Sequence, residues 1–184
     1  MEIISTKFEG LFIIKPKVFG DERGYFFESY RKDHLKEATG KDFNFIQDNE
    51  SFSAKNVLRG MHFQAPPYSQ TKLVRVVTGA VLDVVVDIRT NSETFGQHFA
   101  LELNEENKTQ LLIPQGFAHG FLTLTDNTRF LYSCDNVYNK ESEGSILWND
   151  TDLGIDWPIT ENAIISDKDK IAPKFKNFNS PFTS

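Results

Sequence analysis

Hydrophobic and polar residues in this chain alternate in short runs; they do not recur at helical spacing over long ones. Val81–Ile88 is the clearest case. One parity, Leu82, Val84, Val86 and Ile88, is wholly apolar, whereas the other, Val81, Asp83, Val85, Asp87 and then Arg89, is mixed. Taken as a lone strand, it predicts an apolar face against a core and a face whose Asp83 and Asp87 meet solvent. A polar-lined barrel interior becomes the better reading only if other strands bring convergent polar groups.

Leu73–Val77 is similarly Val-rich and connects to Val81–Ile88 through Thr78-Gly79-Ala80. Further strands are expected at Phe12–Val18, Tyr25–Tyr30, His98–Leu103, Thr109–Ile113, Gly120–Thr125 and Arg129–Cys134. One helix is expected over Arg31–Thr39, R-K-D-H-L-K-E-A-T, closed by Gly40. The C-terminal stretch, with Asp156-Trp157-Pro158 and later Pro173 and Pro181, reads as irregular and wrapping a barrel. Repeats, low-complexity tracts and Gly/Ser linkers are absent, so residues 1–184 are expected to form a single domain. Many short strands at this spacing indicate an all-β sandwich or barrel with little helix.

Composition narrows the function classes. A chain of 184 residues can bury a sizeable core without disulfides or structural metal. The single cysteine, Cys134, cannot pair within the chain, which favours a reducing compartment. The opening M-E-I-I-S-T-K-F-E-G lacks a basic start followed by an apolar core, so no signal peptide is expected. No apolar run approaches membrane-spanning length. A cytoplasmic protein without membrane partners is the expectation. The net charge of -6 argues against non-specific nucleic-acid binding, yet suits an anionic small ligand if a few cations point inward. Aromatics at 13% fit a strand-rich fold or an aromatic pocket, and an aromatic core accounts for most of them.

Polar residues with chemical potential fall in two clusters. Gln47-Asp48-Asn49-Glu50-Ser51, Leu58-Arg59-Gly60-Met61-His62-Phe63-Gln64 and Gln70-Thr71-Lys72-Leu73-Val74-Arg75 form the first. A buried wall does not normally carry so many groups in need of partners. The second, Ile113-Pro114-Gln115-Gly116-Phe117-Ala118-His119-Gly120-Phe121, delivers His119 to an apolar strand through a Pro/Gly turn. Its P-x-G-x-x-H resembles half of the metal signature of cupin barrels. Where a metal cupin carries His-x-His, however, this chain has His62-Phe63-Gln64, and Lys72 adds positive charge nearby. A metal-dependent cupin is therefore the lesser alternative, and neither metal nor cofactor is expected.

Six segments carry a more specific resemblance: D-E-R-G-Y-F-F-E-S-Y (21–30), Q-D-N-E-S-F-S (47–53), L-R-G-M-H-F-Q (58–64), Q-T-K-L-V-R-V (70–76), G-A-V-L-D-V-V-V-D-I-R (79–89) and I-P-Q-G-F-A-H-G-F (113–121). W-N-D (148–150), I-D-W-P (155–158) and S-D-K-D (166–169) extend it towards the C-terminus. In this order they resemble the dTDP-4-dehydrorhamnose 3,5-epimerase family, the RmlC type of cupin.

That resemblance implies a cupin-type jelly-roll β-barrel with a few short helices. It also implies metal-independent epimerisation of a dTDP-linked 4-keto-6-deoxyhexose, in dTDP-L-rhamnose biosynthesis for cell-surface polysaccharide. Inverting a carbon next to a ketone needs a base, an enolate stabiliser and an acid on the far face. The resemblance makes His62 the base, Asp169 its carboxylate partner, Lys72 the enolate stabiliser and Tyr132 the acid, with Tyr138 as the rival tyrosine. An imidazole ordinarily titrates near pH ~6.5, which suits a base. By itself Asp169, in S-D-K-D-K, would be a solvated loop charge, and Lys72 a charge snorkelling at a strand end.

Arg23 and Arg59 would hold the diphosphate, with Lys168 adding charge, while Glu28, Gln47, Asn49, His119 and Glu143 would contact substrate. Arg59 and His62 have opposite parity, so either the strand bends at Gly60 or one of them points elsewhere. The resemblance further implies a homodimer with exchange of the N-terminal segment, making Arg23 and Glu28 candidates for contribution in trans. A single-centre epimerase of another nucleotide-linked 4-keto-6-deoxysugar would share these residues.

Overall fold

The computed structural model describes residues 1–158 and 162–183. The elements in chain order begin with β1 (Glu2–Ser5), β2 (Phe12–Lys15), β3 (Phe19–Asp21), β4 (Gly24–Phe26) and helix α1 (Lys32–Thr39). Strands β5 (Gln47–Ser53), β6 (Val57–Gln64), β7 (Lys72–Thr78), β8 (Ala80–Asp87), β9 (His98–Asn104), β10 (Gln110–Ile113), β11 (Phe117–Thr123) and β12 (Thr128–Cys134) build the barrel. Then follow β13 (Glu143–Ser145), β14 (Ile164–Ile165) and helix α2 (Asp167–Lys170).

Two sheets face each other in a cupin-type jelly roll. One runs β1-β2-β10-β7-β12-β5 and the other β13-β6-β11-β8-β9, with β14 added parallel to β6. Although β7 and β8 are consecutive, they belong to different sheets, so Gly79 turns a corner between walls. An apolar cluster with Val74, Val76, Val81, Val85, Leu111, Phe121 and Phe130 fills the space between the sheets. Phe121 on β11 stacks on Phe130 of β12 at 4.3 Å between centroids, tying the two walls together. Such a pair contributes about 1 kcal/mol beyond its burial.

Each sheet is also covered on its outer face, and this changes the interpretation of β8. Val84, Val86 and Ile88 pack outward against Trp148, Leu153, Trp157 and Phe182 of the C-terminal segment. That segment is therefore a folded cover, with Trp157 Nε1–H donating to the Trp148 carbonyl at 2.8 Å. The opposite parity lies on the inner side, so Asp83 and Asp87 are both wholly buried and do not meet solvent. Asp87 accepts hydrogen bonds from Arg89, Ser92 and Thr94, whereas Asp83 faces His119. With both faces covered, alternation alone could not tell lumen from exterior.

Helix α1 begins one residue later than expected, with Arg31 as its extended N-cap, and ends at Gly40 in the left-handed conformation. Its Leu35 packs with Ile14, Phe43, Leu73 and Leu112 on the outside of the first sheet. β2 stops at Lys15, before Pro16, which has no N–H to donate to a ladder. The expected strand Tyr25–Tyr30 reduces to the short β3–β4 hairpin.

Candidate active site

A cavity of about 500 Å³ opens between the two sheets. His62 on β6 and His119 on β11 line one wall, and the two residues are direct cross-strand partners. Lys72 on β7 and Tyr132 on β12 line the facing wall, with the Lys72 Nζ 5.8 Å from the Tyr132 ring centroid. Lys168 and Asp169 of α2 close one side.

Arg59 and His62 both reach this cavity despite their opposite parity, because β6 bulges between them. Against β11 the register runs His119↔His62 and then Phe121↔Arg59, so three steps on β6 meet two on its partner. Gly60 sits at the shift with φ +135°, and a Cβ there would lie 2.5 Å from the Gly120 Cα. Only glycine allows both the conformation and the close approach of the two strands. The bend at Gly60 is thus the correct one of the two alternatives.

Two histidine–carboxyl pairs face this space. His62 Nε2 lies 2.6 Å from Asp169 Oδ1, and Asp169 is 2% exposed. Burial alone would raise the Asp169 carboxyl. The hydrogen bond and charge of His62, helped by the Gly60 N–H and Ser166, outweigh it and hold the carboxyl below its usual range. An ionised carboxylate only accepts, so the His62 proton resides on Nε2 and Nδ1 carries the lone pair. The solvated loop charge that S-D-K-D-K suggests is instead a buried group, on a one-turn helix capped by Ser166. The second pair is His119 Nε2 with Asp83 Oδ2 at 2.8 Å, while Asp83 Oδ1 is buried without a hydrogen-bond partner.

Lys72 is pushed below an ordinary lysine by burial, against the opposing pull of Cys134, Asp83 and Glu143. Tyr132 is shifted upward, first by burial and then by Cys134, with Arg59 opposing. The buried Cys134 thiol next to them is pushed up to about 11, mainly by burial, and stays protonated. Gln47, Asn49 and Glu143 border a smaller neighbouring cavity of about 150 Å³, which shares His62, Lys72 and Tyr132 with the first. Glu143 pairs with Lys168 and also accepts the Tyr138 hydroxyl at 3.2 Å. Tyr138 therefore stands at the rim, and Tyr132 lies inside.

The model of the dTDP-4-dehydrorhamnose 3,5-epimerase family matches residues 5–177. The chain belongs to this family. It is 53% identical over 173 residues to the dTDP-4-dehydrorhamnose 3,5-epimerase of Salmonella typhimurium, covering 94% of each. The crystal structure of the Elizabethkingia anophelis dTDP-4-dehydrorhamnose 3,5-epimerase is 51% identical and superposes with a TM-score of 0.92, over 96% of this chain and 97% of that one. The Legionella pneumophila epimerase, solved in complex with dTDP-4-keto-L-rhamnose, is 47% identical with a TM-score of 0.92, over 97% and 94%.

Two of the residues expected at an epimerase site stand apart from both cavities. Arg23 is at the exposed tip of the β3–β4 hairpin, paired with Asp21, and Glu28 pairs with Arg31 on the surface at 3.6 Å. Within one chain neither reaches His62. Conversely, Asp83, expected to meet solvent, and Ser51, part of the polar run 47–51 but given no role there, both belong to the surroundings of the site. Ser51 lines the large cavity with a buried, unpartnered hydroxyl. The signal for Asp83 is its parity with Val81 and Val85, which becomes visible only once the lumen side of β8 is known.

Proposed function

We propose that this chain is a dTDP-4-dehydrorhamnose 3,5-epimerase, converting dTDP-4-dehydro-6-deoxy-D-glucose to dTDP-4-dehydro-L-rhamnose. The observation that carries the reading is the placement of His62 and Tyr132 on opposite walls of one cavity. His62 Nδ1 takes the proton from the carbon beside the ketone, and Asp169 stabilises the imidazolium that forms. The electron pair moves to the ketone oxygen, where the Lys72 ammonium stabilises the enolate. Tyr132 then gives its hydroxyl proton to the same carbon from the other face, inverting it. The raised Tyr132 keeps its proton until a strongly basic carbon is held close. Once His62 has released its proton to solvent and Tyr132 has regained one, the same set acts on the second carbon flanking the ketone.

Arg59 and Lys168 at the cavity edge suit the diphosphate, and His119, Gln47, Asn49 and Glu143 suit the sugar and its nucleotide. The family reading also includes a homodimer in which Arg23 and Glu28 act on the neighbouring barrel. The exposed hairpin aromatics Phe19, Tyr25 and Phe26 support this, since isolated chains rarely present such a cluster to water. Light scattering that finds a fully active monomer would overturn the dimer. A cytoplasmic location and a single domain complete the reading; Cys134, free and buried, fits a reducing compartment.

Chemistry at the Gln64 position weighs against a metal-dependent alternative, because that side chain is committed to backbone groups and Lys72 brings positive charge to the lumen. The direct test is product analysis by NMR after incubation with the keto-sugar. The reading expects inverted carbons at both C3 and C5; inversion at one alone would make the chain a single-centre epimerase. His62→Asn should abolish conversion while nucleotide-sugar affinity stays within about twofold.

A further inference from the structure

Gln64 closes β6 two residues beyond His62, where a metal-binding cupin would carry its second histidine. Its amide is buried and directed entirely at backbone. Nε2 donates to the Tyr68 carbonyl at 2.9 Å and to the Val137 carbonyl at 3.1 Å, while Oε1 accepts the Asn139 N–H at 2.7 Å. Two further glutamines hold the same stretch. Gln47 Oε1 accepts the Tyr138 N–H at 3.0 Å, and Gln70 Nε2 donates to the Asn136 carbonyl at 2.9 Å. Four consecutive residues, Asn136 to Asn139, are thus fastened by three amide side chains from separate parts of the chain.

A rim loop does not ordinarily need this much fixing, because water can satisfy its backbone groups. What the fastening achieves is the location of Tyr138. That residue is half exposed, and its hydroxyl meets Glu143, which in turn pairs with Lys168. Together Tyr138 and Glu143 border the smaller cavity that opens onto Lys72 and Tyr132. Only an amide supplies the two donors and one acceptor that Gln64 uses. A carboxylate would face two carbonyl oxygens with no proton, and an imidazole cannot donate to both.

We infer that Gln64 is a positioning residue for nucleotide-sugar binding, bracing residues 136–139 with Gln47 and Gln70 so that Tyr138 forms a fixed wall of the substrate pocket. The inference rests on the epimerase reading for the identity of the ligand. The position at which a metal cupin carries a ligand here serves as a loop brace.

The test is a double-mutant cycle between Gln64→Glu and Tyr138→Ala, read as the Kd for dTDP-glucose, which has no ketone and cannot react. The kcat and KM for the keto-sugar are measured on the same four proteins. Gln64→Glu should weaken dTDP-glucose binding about tenfold and raise KM alongside it, with kcat within about threefold of the native enzyme. In the Tyr138→Ala background the same substitution should change Kd by less than about twofold. Additive effects, no effect of Tyr138→Ala, or loss of kcat with Kd unchanged would each overturn the inference.

Should Gln64→Glu fail to fold, Gln70→Met removes one brace at a less buried position. It should weaken binding about threefold in the native background and not in Tyr138→Ala; an unchanged Kd would overturn the inference. Native protein that binds dTDP-glucose but leaves the keto-sugar unconverted would refute the epimerase reading, while the binding cycle would still judge the brace.

Discussion

His62 Nε2 lies 2.6 Å from Asp169 Oδ1, although 107 residues separate the two in the chain. The C-terminal cover brings them together: β14 pairs with β6, and the turn of helix that follows sets the carboxylate beside the imidazole. The contact orients the ring as well as holding it, since the proton on Nε2 leaves the lone pair on Nδ1.

Asp169→Asn should remove that direction. An amide can donate to Nε2, which permits the tautomer with its proton on Nδ1 and no lone pair there for the substrate. Steady-state kinetics should show kcat reduced about 10²–10⁴-fold with KM little changed. A kcat within threefold of native would contradict the role of the pair.

Lys72 should set the alkaline limb of activity. Enolate stabilisation needs the protonated amine, and burial lowers its pKa, so activity present at neutral pH is lost at a pH below the ordinary lysine value of about 10.4. Tyr132 shifts the other way and keeps its proton through that range. In a kcat–pH profile, Lys72→Arg should move the limb upward, because guanidinium stays charged, while lowering the rate about 10–100-fold. An unmoved limb would assign it to another group.

Gly60→Ala should destabilise the whole fold. The added Cβ would meet the Gly120 Cα at 2.5 Å and the His119 carbonyl oxygen at 3.1 Å, in a conformation that L-residues rarely adopt. A loss of about 3 kcal/mol or more is expected, read as a Tm lowered by roughly 10 °C. A variant with native Tm would show that the bulge tolerates a side chain.

Asp83→Asn should act through His119. The carboxyl is the ring's partner at 2.8 Å, and its other oxygen has none, so the amide keeps the shape while offering Nε2 either a donor or an acceptor and ceasing to orient the ring. KM for the keto-sugar should rise about tenfold with a smaller change in kcat. Steady-state kinetics with an unchanged KM would remove Asp83 from the account.

Much of the barrel is legible in the chain because β7, β8 and β10 are dense in Val, Leu and Ile, and β12 carries Phe130, Leu131 and Tyr132 in a run bounded by turn residues. Less legible is β5, Q-D-N-E-S-F-S, whose inward residues are polar because they border the site. Asp169 was beyond reach of local pattern, since nothing in S-D-K-D-K shows that β14 will pair with β6. The side of β8 facing the lumen was hidden for a different reason: the C-terminal cover buries its other face equally well. Arg59 and His62 illustrate the reverse case, where the parity conflict and the glycine between them already point to a bend. The ordered family motifs pointed to Asp169 as the partner of His62, whereas neither they nor the alternation pointed to Asp83 as the partner of His119.

The central claim is that one cavity removes and returns protons on opposite faces of a keto-sugar. It is tested most directly by incubating the enzyme and dTDP-4-dehydro-6-deoxy-D-glucose in D2O and locating deuterium by NMR. The account predicts deuterium at both C3 and C5 of the product, and none in either position with His62→Asn. Conversion without deuterium at either carbon, or exchange that persists unchanged in His62→Asn, would contradict it.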